Sequence, residues 1–447
     1  MMLSVLLAAF SVACQAVACP IQEKIDALSA SGGGVLRIPP GIHETAALRL
    51  KTGVELHLEK GAVLLAGKSI EKQYAATEGH AFILADGADK VAVTGEGVID
   101  GRGRDFVPGS LDVLQQPRLL WFRDCRNVRV EGVTLRNGRR WTCYFERCDG
   151  VVARRVKIRS TFHKCCDGFD LECKNTLIED CDIETQDDGI CVKARCSGYC
   201  VENIEVRNCR VASNCAHIKI GSETLGTIRN IDIHDIKCET AAEARFSVDP
   251  VDKDDFMKRF GFPESPYAYA GISLQMLDGG ILENVKVRNV DLGATCLVPI
   301  VMRHSRRKGR VLPGVSVFRN VLVENVKGRS LSWIGSSVIG SGGLRPSGIV
   351  FRNVELAVLA SGIPRGPLAE IDSLDGLIIR HDDLMPASGL YLRHADGVSL
   401  ENVKLSKIGT GKRPLFAHDD CRGLDASGLS EPEWRYSGQQ ILRKVRQ

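Results

Sequence analysis

The chain has 447 residues, of which 44% are hydrophobic and only 6% aromatic, with 45 glycines. Lysine and arginine (59) nearly balance aspartate and glutamate (55), and a formal charge of +4 is too small to argue for a nucleic-acid partner. The apolar content is ample for a core, and few aromatics with many glycines suit short stacked strands and turns better than a helical globule.

Residues 1–18 read as an export leader. Their apolar run is too short to span a bilayer, and Ala16-Val17-Ala18 has the small-residue form of a cleavage site. Secretion or export to a periplasm is the expectation. A lipid-modified Cys19, directly after that site, is the lesser alternative. No other segment is apolar and long enough for a membrane span. Residues 19–447 are expected to form a single domain, because some β architectures run long as one unit.

A short strand then repeats. The stretches 127–135, 150–158, 175–183, 203–209 and 230–236 share one pattern, and later copies begin at Asn284, Gly314, Gly348 and Gly397. A recurrence at roughly twenty to thirty residues marks a solenoid. Within each copy apolar and polar residues alternate, which is strand periodicity, and no copy has a helical stripe. Each copy is too short to bury its own apolar face, so copies must stack. The fold class expected is all-β, a right-handed parallel β-helix of roughly ten or more coils. Asparagine or glycine at each copy's start suits a tight bend.

The cysteines number 17, an odd count that leaves at least one thiol unpaired unless it bonds another chain. Most recur at strand positions, as Cys181 and Cys209 do, and read as buried packing groups. Cys196 and Cys200 share one loop, close enough to suggest a bridge. No pair has the C-x-x-C spacing of a structural zinc site, so neither a metal nor a cofactor is expected. Residues 247–269 break the rhythm. They are charged, proline-containing and aperiodic, and read equally as a side loop on the binding face or as a solvated excursion.

Acids converge in the middle of the repeat. Asp167 precedes Gly168-Phe169-Asp170, and Asp187-Asp188 precede Gly189-Ile190. Superimposing the strands matches Phe169 and Leu171 with Ile190 and Val192, and these with Ile218 and Ile220, all pointing inward. Asp167 then stands in register with Asp188, with Asp187 one residue earlier. Neighbouring strands lie about 4.8 Å apart, so three carboxylates share one small surface. Asp-Gly alone would be a turn former. Carboxylates this close perturb one another and keep a proton available, as glycosidic cleavage requires. The alignment puts Asp170, Cys191 and Lys219 on the outward face. Lys193, His217, Lys219 and Arg245 supply positive charge nearby, suited to an anionic sugar. His217 and Lys219 alternate with inward isoleucines and are expected to face solvent.

At this point the residues resemble glycoside hydrolase family 28, the polygalacturonase-like enzymes of the pectate lyase-type β-helix class. The resemblance rests on Gly32-Gly33-Gly34-Val35-Leu36-Arg37-Ile38-Pro39-Pro40-Gly41, on Gly95-Glu96-Gly97-Val98-Ile99-Asp100-Gly101, and above all on the Asp167 and Asp187-Asp188 motifs. Gly271-Ile272-Ser273-Leu274 and Gly389-Leu390-Tyr391-Leu392-Arg393-His394 are similar to a bacterial branch. It implies inverting hydrolysis of an acidic, often pectic, polysaccharide by a monomer without cofactor, with Asp187 as general acid and Asp167 and Asp188 activating the water. His217, Lys219 and Arg245 would bind substrate. The chain departs from the family in places. Cys165-Cys166 replace its asparagine-threonine, Ser247 replaces its lysine, and its histidine position is Ala216, with His217 one step late. One step along a strand reverses a side chain's direction. These departures argue for a rhamnogalacturonan-like or otherwise substituted uronic or sulfated chain over smooth polygalacturonan. Two alternatives stay open: a polysaccharide lyase using calcium or a basic residue, and a carbohydrate-binding solenoid without catalysis.

Overall fold

The computed structural model describes residues 19–68, 74, 77–78, 80–105, 116–162, 165–241, 267–312, 314–359, 385–431, 433–437 and 440–443. The expected leader, Arg245 and most of the aperiodic 247–269 stretch lie outside them.

From Gly34–Ile38 onward the strands wind as a parallel solenoid. Gly34–Ile38 pairs in parallel with Val54–Leu58, Gly41–Thr45 with Ala62–Ala66, and Leu48–Leu50 with Ala81–Asp86. Each strand therefore meets the third one after it, which is the signature of coils with three strands per turn. The ladder then runs on in register. Leu36, Leu56, Val93, Val130, Ala153, Ile178, Val206, Ile233, Val287, Val323, Phe351 and Leu400 stack one upon the next. All are buried. Period-2 alternation places them inward, and no single coil could bury such a row alone.

The turn chemistry explains why the copies stack where they do. Asn127, Gly150, Asn175, Asn203, Asn230 and Asn284 all have positive φ, between 50° and 74°. Asparagine tolerates this region and glycine occupies it freely. Their side chains also bond along the stack: Asn203 Nδ2 donates to Asn175 Oδ1 at 3.0 Å, Asn230 to Asn203 at 3.2 Å and Asn284 to Asn230 at 3.3 Å. The next copy was expected to begin at Gly314, but Asn320 holds that ladder position, donating to Asn284 at 3.3 Å. A second ladder sits five residues on, where Asn289 donates to Asp235 at 2.9 Å and Asn325 to Asn289 at 2.8 Å.

One element departs from the strand-only expectation. Pro20–Ala30 is an α-helix whose Ile25 is fully buried in the core. It covers the open apolar end of the first coil, as solenoid termini require. The signal was Pro20 at the first helical turn with Ile21, Ile25 and Leu28 on one face.

Candidate active site

Four consecutive coils build the site. Phe169–Glu179, Ile190–Ala194, Ala216–Thr224 and Ala268–Met276 are neighbours in one sheet, with Phe169, Ile190, Ile218 and Ile272 in register. The acids stand in the turns just ahead of these strands. Gly168 N–H donates to Asp188 O at 2.8 Å and Phe169 N–H to Gly189 O at 3.1 Å, which sets Asp167 beside Asp188. The turns are tight because the glycines permit it. A Cβ on Gly168 would lie 2.3 Å from Gly189 O, and one on Gly189 would lie 2.3 Å from Val211 Cγ1.

The three acids are brought together but differ in setting. Asp167 and Asp188 are buried, at 3% and 4% exposure, whereas Asp187 is half-buried. Oxygens of Asp167, Asp188 and the Cys191 thiol lie within 4.8 Å of one another, as do those of Asp187 and Asp188 with Cys215. Among the described residues the Asp187 carboxylate is held by backbone alone: Cys165 N–H donates to Oδ2 at 2.9 Å and Asp188 N–H to Oδ1 at 3.0 Å. Its own carbonyl accepts the hydroxyls of Thr185 (2.8 Å) and Ser213 (2.7 Å), which fix the turn.

Two lysines reach the other acids. Lys193 Nζ lies 2.9 Å from Asp167 Oδ2 and 2.6 Å from Asp170 Oδ1. Lys219 Nζ lies 2.9 Å from Asp188 Oδ2. Burial pushes the Asp167 carboxyl well above the usual range, and the charge of Asp170 adds to this against the pull of Lys193. Asp170 is raised by burial too. Burial works against both ammonium groups, but their aspartates win and hold them well above the ordinary lysine value. Both lysines therefore stay charged.

The outward register Asp170–Cys191–Lys219 is as aligned from the sequence. Solvent exposure is not. His217 is fully buried and Lys219 is 3% exposed. His217 points away from the acids, and its Nε2 bonds Thr295 Oγ1 at 2.9 Å. Thr295 gives its own proton to Leu292 O at 2.7 Å, so His217 Nε2 is the donor and Nδ1 carries no proton. Burial drops the His217 pKa to about 3, leaving it neutral. The one-step shift from Ala216 thus turns the imidazole away from the carboxylates.

A group the sequence reading missed continues the same outward row. Trp121, Tyr144 and Asp170 are in register on successive coils. Trp121 stacks on Tyr144 at 6.1 Å, and Trp141 meets Tyr144 edge-on at 4.9 Å. Lys193 Nζ sits 4.0 Å over the Trp141 ring and Arg118 Cζ 4.2 Å over Trp121. Tyr144 Oη donates to Glu172 at 2.8 Å and Trp121 Nε1 to Glu146 at 2.9 Å. Trp141 holds φ at 29°, rare for a bulky residue and typical of functional sites. The signal was available in the register, since any outward residue one coil before Asp170 borders the acids.

Stacked parallel coils carrying a carboxylate cluster ahead of one sheet define a solenoid of the polygalacturonase fold type. The exopolygalacturonase of Thermotoga maritima superimposes with a TM-score of 0.62 at 20% identity, covering 86% of this chain and 87% of that one. The family 28 exopolygalacturonase of Yersinia enterocolitica gives 0.66 at 16% identity, over 91% and 75%. The pneumococcal surface adhesin PfbA shares the fold as well, at 0.56 and 12% identity over 96% and 91%. In sequence, residues 37–245, which contain all three acids, match the family model of glycosyl hydrolases family 28. A probable polygalacturonase of Vitis vinifera is 26% identical over 48% of this chain and 50% of its own length. A probable rhamnogalacturonase A of Aspergillus oryzae is 28% identical over 43% and 39%. The chain thus spans half or less of the length of these curated relatives.

Proposed function

We propose that the protein is an exported glycoside hydrolase that cleaves glycosidic bonds of an acidic polysaccharide, pectin-like or rhamnogalacturonan-like, with inversion. The observation that carries this reading is the convergence of Asp167, Asp187 and Asp188 on one turn surface, with Asp187 alone half-exposed. Asp187 would give a proton to the leaving oxygen, and Asp167 and Asp188 would take one from the attacking water. His217 and Lys219, expected to bind substrate, are buried and bonded to Thr295 and Asp188, and Arg245 would contact substrate from outside the described residues. We also infer that the solenoid is right-handed, because parallel crossovers are almost always so, with about ten or more coils, and that it acts as a monomer. Export rests on the apolar leader. Among the described residues no helix is long and apolar enough to cross a membrane.

The lyase alternative is less favoured on physical grounds. A lyase needs a neutral base or a calcium ion beside the carboxylates. Lys193 and Lys219 are held protonated, and their ammonium groups already occupy the places a cation would take between Asp167, Asp170 and Asp188.

The test is incubation of wild type and Asp187→Asn with a panel of pectic, rhamnogalacturonan and sulfated chains, reading the anomeric form of the first product. Inverted product from wild type, and a loss of about 10²–10⁴-fold in kcat in the variant, are expected. Retained configuration would replace inversion with a covalent intermediate. Full activity in Asp187→Asn would remove it as the acid, and an unsaturated, ultraviolet-absorbing product would establish the lyase.

A further inference from the structure

The acid-then-lysine device is repeated on consecutive coils, with different charge counts. In the first, one ammonium serves two carboxylates: Lys193 Nζ lies 2.9 Å from Asp167 and 2.6 Å from Asp170. In the second, one ammonium serves one: Lys219 Nζ lies 2.9 Å from Asp188 Oδ2, and both side chains are nearly sealed from water, at 4% and 6% exposure. Lys219 reaches back past Cys191, its register partner, to the turn of the preceding coil. The position before His217, where the family places its histidine, is Ala216 and adds no polar group. A buried carboxylate with its own ammonium stays ionised, whereas two carboxylates around one ammonium are left with excess negative charge and retain a proton between them.

We propose that Lys219 is a positioning residue that pairs with Asp188 and fixes its rotamer, making Asp188 the base that deprotonates water, while Asp167 and Asp170 share Lys193. This rests on the hydrolase reading above and divides two aspartates that the family motif treats alike. Oδ1 of Asp188 is sealed from solvent and makes no hydrogen bond, so it is the unsatisfied acceptor for a water that enters with the substrate. The groups that face Asp188 are Lys219 from the following strand, Cys215 from the turn before it, Asp187, Cys191 and Lys193 from its own coil, and Asp167 with Asp170 from the preceding one. Burial and the neighbouring carboxylates push both thiols well up, so neither takes up charge in the range that matters. Against the cost of burial, Glu223, further along the Lys219 strand, is held down by both ammonium groups, but the salt bridge of Lys219 is to Asp188.

The experiment compares wild type with Lys219→Met, Lys219→Gln and Lys219→Arg, measuring pH profiles of kcat and kcat/KM on whichever panel glycan the wild type cleaves. Loss of the ammonium should move the acid limb of kcat/KM up by about 1–2 pH units, in the direction set by removing an opposite charge. The neutral variants should lose about 10–100-fold in kcat near neutral pH with KM within about threefold, part of the roughly 10²–10⁴-fold that one general base contributes. Lys219→Arg should keep the wild-type limb. An unmoved limb in Lys219→Met and Lys219→Gln, or a rise in KM alone, overturns the proposal. If one neutral variant does not fold, the other carries the comparison. A ¹³C-carboxyl NMR titration, with Asp188→Asn to assign the signal, reads the ionisation of Asp188 without turnover. Failure of the hydrolase reading, seen as no product from wild type on any glycan, is thereby separated from failure of the lysine assignment, seen as an Asp188 titration that Lys219→Met or Lys219→Gln leaves unchanged.

Discussion

At the scale of single residues, the site is governed by which groups can change charge. His217 cannot do so at working pH, because burial holds it near 3 against an ordinary value of 6.5. Between those values the unfolded chain binds the proton and the folded chain does not, so stability is full above about 6.5 and is lost as pH falls toward 3. His304, lowered by burial to about 4, adds to the same fall. Asp167, whose folded value is raised, acts in the opposite sense above the ordinary carboxylate range. Urea unfolding of wild type should therefore weaken between pH 7 and pH 5. His217→Gln, whose amide can still donate to Thr295, should remove about 2 kcal/mol of that decline. Equal slopes in the two proteins would mean that His217 titrates normally and is not sealed. The acids themselves were legible in the sequence because the alternating pattern fixes register. The pairing of Lys193 and Lys219 with them was not, because period-2 alternation marks a side chain as outward without saying whether a neighbouring coil covers it.

At the scale of elements, the asparagine ladders decide where each coil turns. Asn230 has φ of 55°, donates to Asn203 at 3.2 Å and accepts from Asn284 at 3.3 Å. Asn230→Ala would lose both bonds and place a Cβ-bearing residue without a compensating side chain in the left-handed region. A loss of about 1–3 kcal/mol is expected in denaturant unfolding. Asn230→Gly, which keeps the backbone at ease, should cost visibly less. If alanine and glycine cost the same, the ladder bonds matter and the backbone conformation does not. The copy starts were readable from composition, since asparagine and glycine recur there. Gly314 was misplaced against Asn320 because both residues fit a turn, and only the stacking of Asn320 on Asn284 separates them. The second ladder went unread for a related reason: its asparagines lie inside the repeated strand pattern, where they look like ordinary polar alternates.

At the scale of the whole molecule, the core is one continuous apolar column and the thiols are part of it. All 16 cysteines among the described residues are free, Cys196 and Cys200 included, so the bridge suggested for that loop is absent. Burial drives thiols such as Cys143 and Cys238 well above their ordinary value, which makes them poor nucleophiles. A reductant should leave the unfolding midpoint unchanged, and a thiol reagent should label few cysteines until urea is added. A midpoint that falls with reductant would instead reveal disulfides formed on export. The column also explains why one helix belongs to an otherwise all-β chain. Stacking leaves an open face at each end of the column, and Pro20–Ala30 closes the first.

The sequence by itself determined the repeat, the inward ladder and the register that sets Asp167 beside Asp188, because alternation and turn residues are local properties that each copy restates. It also carried the stretch that matches the family 28 model. Only the tertiary structure decided which outward residues are sealed. Lys193 and Lys219 become partners of Asp167, Asp170 and Asp188, His217 turns to Thr295, and Trp141 lies under Lys193 beside the acids. Each of these depends on side chains from different coils meeting across the stack, a contact that no single strand's pattern contains.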